Sequence, residues 1–262
     1  MFRMPKDNLV NLLWTGGWDS TFRLLELLHV RKRIVQPYYI LDSERRSMCI
    51  EIARREQIIR LLIEKNPTTN DLLLPTIFKA KTDIKVNNEL AQNYKNILTR
   101  QRLGKQHEWL AFFADELKIK DLEICNHIND PAVTIIKPFS TRIENNDGFF
   151  YYLVRSDIAD QDVYHLFKYF RFPLLMMNKR EIEQKSKAYD FIDIMEYTWF
   201  CHNPLGRLPM NARPCGTCNT CIYTINTQGM QRIPYISRIR YYFMRFLRPT
   251  RFKTLTQRQG IS

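Results

Sequence analysis

The stretch from Asn8 to Phe22, NLVNLLWTGGWDSTF, constrains the chain more than any other. An apolar run of Leu9, Val10, Leu12, Leu13 and Trp14 predicts a buried parallel strand. The run breaks at Gly16 and Gly17, then resumes through Ser20 and Thr21 into FRLLELL, whose leucines recur at helical spacing. Strand, glycine turn and helix together make a device for holding phosphate. Glycine lets the turn take positive φ and lets an anion approach the backbone. The first N–H groups of the following helix are unpaired donors at the positive end of its dipole. Hydroxyls at Thr15, Ser20 and Thr21 add donors, and Asp19 suits a magnesium ion or the orientation of the loop. Two glycines alone also fit a tight connection without a ligand.

Further along, the β-branched and aromatic run Ile34 to Leu41 predicts a second strand ending at Asp42, with its carboxyl end expected beside the phosphate turn. Residues 47–65 carry Ile52, Ile59, Leu62 and Ile63 at helical spacing and stop at the breaker cluster NPTTND. Leu72 to Phe78 is a third strand candidate. The polar, basic segment 79–105 reads either as an excursion closing over the active site or as a solvated helix and loop. Trp109 to Leu117 predicts a helix, Leu122 to His127 a fourth strand, and residues 141–154 a hairpin turning at Asp147 and Gly148. Val163 to Phe170 predicts a helix and Leu174 to Met177 a fifth strand, before Asn178 and Glu181 cap the helix NKREIEQKSKAY. This alternation predicts an α/β fold, a parallel five-stranded sheet with helices on both faces. The expected organisation is an α/β domain over 1–200, a metal-binding segment over 201–223 and a basic aromatic helix and tail over 224–262.

Four of the six cysteines cluster near the carboxyl end. In TWFCHNPLGRLPMNARPCGTCNTC, Cys215, Cys218 and Cys221 stand at successive CxxC steps, with Cys201 upstream. Such turns let sulfurs converge on one tetrahedral ion, and a closed shell of four thiolates leaves no place for substrate. Structural zinc is the leading assignment, with an iron–sulfur cluster or a redox CxxC pair as alternatives. His202, adjacent to Cys201, is left out of the ligand set. The first residues lack the apolar core of a signal peptide, and no uncharged stretch is long enough to span a bilayer, so a cytoplasmic, reducing compartment is the expectation.

The spelling TGGWDS resembles the SGGxDS loop of the PP-loop ATP pyrophosphatase superfamily, with Thr15 where that superfamily usually has serine. With TWFC and CGTCNTC further on, the chain resembles the 7-cyano-7-deazaguanine synthase (QueC) family, and NKREIEQKS at 178–186 resembles its TKxEI segment. CIEIARREQ at 49–57 is similar to a further helix of that family, so the likeness extends, with gaps, over most of residues 8–223. The resemblance implies a PP-loop, Rossmann-like fold and an ATP- and magnesium-dependent ligase. Such an enzyme activates the carboxylate of 7-carboxy-7-deazaguanine, or a related acid, for attack by ammonia or another amine. It also implies that Trp14, Thr15, Gly16, Gly17, Trp18, Asp19, Ser20, Thr21 and Asp42 contact the nucleotide, that Asp19, Ser20 and Lys179 serve the reaction, and that Cys201, Cys215, Cys218 and Cys221 hold zinc. The chain departs from the family at ILDSERRS, which lacks the expected histidine, and at TRQRLGK, where Arg100 or Arg102 only echoes an arginine-asparagine motif. The interval from Cys201 to Cys215 is also longer than usual. Adenylation chemistry therefore carries over better than the identity of the acid, as for a divergent paralogue.

The formal net charge of +13 predicts attraction to polyanions. Beyond the metal segment, arginines from Arg232 to Arg251 and Lys253 alternate with aromatics from Tyr235 to Phe252. That pattern suits a nucleic-acid or protein acceptor, an anionic membrane surface or a partner helix. The favoured reading packs the aromatics on the domain and leaves the arginines wet. The alternatives to a ligase are a PP-loop enzyme that modifies RNA or protein, with Cys125 as its one candidate thiol, and a nucleotide-binding module without turnover. A homodimer is compatible with each.

Overall fold

The computed structural model describes residues 8–145, 148–158, 160–206 and 208–248. Asp147, Arg251, Phe252 and Lys253 lie outside the described residues. Strand β1 (Leu9–Leu13) leads into α1 (Trp18–Leu25), which widens into a π-helical turn over Glu26–Val30. Then follow β2 (Ile34–Leu41), α2 (Met48–Lys65), α3 (Thr69–Leu72), β3 (Ile77–Ala80), α4 (Asn88–Arg100), α5 (Gln106–Glu116), β4 (Leu122–Glu123) and α6 (Val133–Ile136). A hairpin of β5 (Ser140–Glu144) and β6 (Phe150–Val154) precedes α7 (Gln161–Phe167) and β7 (Phe170–Arg171). Helices α8 (Lys179–Ala188), α9 (Ile192–Met195), α10 (Asn219–Gln228) and α11 (Tyr235–Leu247) complete the described chain.

Two compact units result. One comprises the described residues up to Trp14, Arg23–Leu41 and Thr68–Met177; the other comprises Thr15–Phe22, Asp42–Pro67 and the described residues from Asn178 on. The first holds a five-stranded, wholly parallel sheet in the order β3-β2-β1-β4-β7, flanked by helices. The parallel register needs a crossover between neighbouring strands, which the intervening helices supply. Its core gathers Tyr38, Ile40, Phe113, Phe167, Phe170 and Phe172.

Several expectations are corrected. Leu72 closes a helical turn and the third strand starts only at Ile77, because Leu73 makes a single bridge to Val35 before the chain leaves the ladder. The fourth strand pairs over two residues, although the apolar run continues through Ile124. The fifth is Phe170–Arg171 and not Leu174 to Met177, whose Leu174 and Leu175 are buried from a turn. The segment 79–105 is more than a solvated helix and loop. Its helix α4 buries Leu90, Tyr94 and Ile97 in the sheet's core, and Arg100 pairs with Asp160 and Asp162 at the start of α7.

One buried ion cluster holds the first unit together. Arg23 of α1 donates Nε at 2.8 Å and Nη2 at 2.9 Å to the carboxylate of Glu123 in β4, and Nη1 at 2.6 Å to Glu26. Burial alone would lower its pKa, but the two carboxylates outweigh that and raise it. The Arg23→Met substitution strands Glu123, which has no exposed surface, and is expected to cost about 3–5 kcal/mol of stability, read from the urea midpoint. A change below about 1 kcal/mol would show that water reaches these carboxylates.

Candidate functional site

The second unit carries the glycine loop. Gly16 has φ +74°, a conformation that favours glycine, and its carbonyl accepts the N–H of Trp199 at 3.0 Å. A Cβ there would lie 2.7 Å from Cγ of Arg55, which packs against the turn. Gly16→Ala is therefore expected to cost at least about 1–2 kcal/mol from the left-handed conformation alone, measurable by thermal melting. Within the loop, Ser20 Oγ accepts the N–H of Thr15 at 3.3 Å, shares a hydrogen bond with Thr15 Oγ1 at 3.2 Å and donates to the carbonyl of Gly17. Gly17 donates its N–H to Thr15 Oγ1 at 3.4 Å. The hydroxyls of Thr15 and Ser20 thus shape the bend.

The helix starts where the loop ends. Thr21 donates its N–H to the Gly17 carbonyl at 3.0 Å, the first bond of the helical ladder. Among the described residues, no acceptor takes the N–H of Trp18, Asp19 or Ser20, which leaves three donors at the positive end of α1. Trp14 stands apart from this set. It is wholly buried, and its N–H is spent on the carbonyl of Tyr38 in β2. Asp42 shapes the turn after β2, accepting the N–H of Glu44 on Oδ1 and that of Arg45 on its carbonyl.

Asp19 and Lys179, 160 residues apart, meet with Nζ 2.5 Å from both carboxylate oxygens. Lys179 is the first residue of α8, fixed by a capping box in which Asn178 accepts the N–H of Arg180 and Glu181 while Glu181 accepts that of Asn178. A cation in the first helical turn opposes the dipole, and the Asp19 carboxylate offsets that cost. The lysine is drawn in rather than solvated; its side chain is 12% exposed.

The four cysteines converge. Their sulfurs all lie within 4.8 Å of one another, and all four residues are buried. Cys201 to Cys218 and Cys215 to Cys221 are each 3.9 Å between sulfurs. A tetrahedral ion with bonds of about 2.3 Å sets its ligands about 3.8 Å apart, so the spacing suits one metal ion and zinc fits the donor set. A multi-iron cluster, with each thiolate on a different iron, would spread them further. Backbone N–H groups support the sulfurs: Cys215 donates to Cys201 Sγ at 3.2 Å, and Thr217 and Cys218 donate to Cys215 Sγ at 3.4 and 3.3 Å. Contact with the Cys201 sulfur, aided by the Thr217 N–H, lowers the pKa of the Cys215 thiol. His202 is not among the converging ligands.

The metal segment reaches the glycine loop directly. Trp199, which bonds Gly16, also donates Nε1 to the Cys201 carbonyl at 2.7 Å. Arg232 adds a second tie that sequence reasoning missed by counting it with the basic tail. Its side chain is 3% exposed, lies over the rings of Trp18 and Phe200 at 4.8 and 5.0 Å, and donates to the carbonyl and hydroxyl of Thr198 at 2.8 Å each. Burial lowers its pKa to about 10, against the opposing pull of Glu196. Nothing in its spacing set Arg232 apart from its neighbours; only the aromatic rings of Trp18 and Phe200 within the two motifs could have hinted at it.

No protein-family model matches this sequence, and no curated protein matches it. The parallel sheet, its flanking helices and the four-cysteine cluster are consistent with a PP-loop-like, nucleotide-binding fold in general.

Proposed function

We propose that the chain is an ATP-dependent ligase that adenylates a carboxylate and passes the acyl group to an amine. The observation that carries this reading is the Asp19–Lys179 pair beside three unpartnered helix N–H groups. Anion donors, a carboxylate suited to magnesium and a cation thus occur together at one loop. Trp18 adds to it with a buried Nε1–H that has no hydrogen-bond partner, a donor open to an acceptor that arrives with a ligand.

In this reading the N–H groups of Trp18, Asp19 and Ser20 bind the pyrophosphate portion of ATP. Asp19 would hold magnesium, which when bound would neutralise phosphate charge and polarise the α-phosphorus. Lys179, which Asp19 holds beside the loop, meets the charge that builds on the departing pyrophosphate. A carboxylate oxygen of the acid attacks the α-phosphorus in line, and the bond to the bridging oxygen breaks as pyrophosphate leaves. The amine then attacks the acyl carbon of the adenylate, loses a proton and displaces AMP. By the sequence resemblance, the acid is 7-carboxy-7-deazaguanine or a relative and the amine is ammonia. Cys201, Cys215, Cys218 and Cys221 would hold zinc as a brace, since four thiolates complete its shell.

The test is pyrophosphate release from ATP and magnesium by the full chain, with 7-carboxy-7-deazaguanine and related acids supplied singly and products read by mass spectrometry. Release that depends on an acid, with an amide or nitrile product on adding ammonia, is expected. Release that depends instead on added RNA would move the reading to nucleic-acid modification. ATP binding with no release for any acceptor would leave a nucleotide-binding module.

A further inference from the structure

Helix α11 turns its apolar side outward. The favoured sequence reading, with its aromatics packed on the domain, holds only for Tyr241, which sits against Ile222 and Ile225. On that same side Ser237 is buried and donates its hydroxyl to the Pro214 carbonyl, so one face of the helix is anchored. Ile236, Ile239, Tyr242, Phe243, Phe246 and Leu247 are all more than half exposed. At about 3.6 residues per turn they form one continuous stripe, opposite the anchored face and about 20 Å long. Exposed Arg240 stands on one margin of the stripe and exposed Arg245 on the other. The last acidic residue of the chain is Glu196, so neither the helix nor the sequence after it carries a carboxylate side chain.

We propose that α11 is a membrane-surface anchor that lays its apolar stripe into the headgroup region of an anionic bilayer. A stripe of aliphatic and aromatic side chains with arginines along both margins matches an interface of acyl chain and phosphate, where the rings and aliphatics leave water while the guanidinium groups stay among headgroups. The aliphatic members decide against single-stranded nucleic acid: Ile236, Ile239 and Leu247 offer no ring for a base to stack on. Charge decides against a second copy of the same helix, because pairing two stripes would set arginines against arginines with no acidic partner. The helix lies on the surface and does not cross it, since no helix among the described residues is long and apolar enough to span a membrane.

The experiment is co-sedimentation of the full chain with vesicles of phosphatidylcholine alone and of phosphatidylcholine with about one third phosphatidylglycerol. Binding to the anionic vesicles only is expected, weakening as salt shortens the reach of the charges. Phe243→Ser together with Phe246→Ser should lower partitioning about tenfold or more, and Arg240→Glu with Arg245→Glu should do the same, each with an unchanged circular-dichroism spectrum because these side chains are exposed. Phe243→Trp supplies a direct readout, an emission blue shift on adding anionic vesicles. Equal binding to neutral vesicles would overturn the proposal, as would partitioning indifferent to these variants. So would oligonucleotide binding, or a dimer lost on Phe243→Ser, in a chain that leaves vesicles alone.

Discussion

Stripping the metal, or replacing Cys215 by serine, is expected to unfold the segment from Trp199 to Ile233 and lower the melting temperature steeply. The hydrophobic cluster there consists of the four cysteines with Ile50, Trp199 and Ile233, too little apolar surface to hold once the sulfurs repel or gain protons. Zinc on such a site contributes about 10–16 kcal/mol of apparent binding free energy at neutral pH, comparable with the whole stability of a domain. The measurement is metal content per chain with thermal melting before and after chelation. One zinc per chain, lost together with the melting transition, is expected. A Cys215→Ser protein that keeps its zinc and its transition would refute the four-thiolate site. Because Trp199 bonds both Gly16 and Cys201, metal loss should also speed hydrogen exchange at the amides around the glycine loop.

Lys179→Met and Asp19→Asn are each expected to lower acid-dependent pyrophosphate release by about 10²–10³-fold, the usual consequence of removing one well-placed group that meets transition-state charge. Their effect on stability should be modest, about 1–2 kcal/mol, because each variant leaves a mostly buried partner that still touches water. That separation is diagnostic: a merely structural ion pair would show the reverse, a shifted melt with turnover intact. Turnover near the parent's level in both variants would remove these side chains from the reaction.

The elements legible in the sequence were those spelled by local backbone chemistry. Strand β2 occupies the whole Ile34 to Leu41 run, and the Asn178–Glu181 capping box forms in full, because β-branched runs and capping pairs act through neighbours a few residues away. Edge strands were misplaced for the opposite reason. Apolar character at Leu174 and Leu175 reports burial, and a buried turn has the same composition as a buried strand until its ladder partner is known. The exposed stripe of α11 follows the same logic: its period was readable, but which face met protein was not.

By itself the sequence determined the glycine turn, the first turn of α1, the cap of α8 and the cysteine spacing, since each depends on φ, hydrogen bonding or reach over a few residues. Only the tertiary structure decided that Arg23 neutralises Glu123, that Lys179 reaches Asp19 and that Arg232 lies buried against Trp18. Those pairings join residues 100 or more apart, where no spacing rule operates. What selects them is the cost of leaving a charge in a place that the fold has already closed to water.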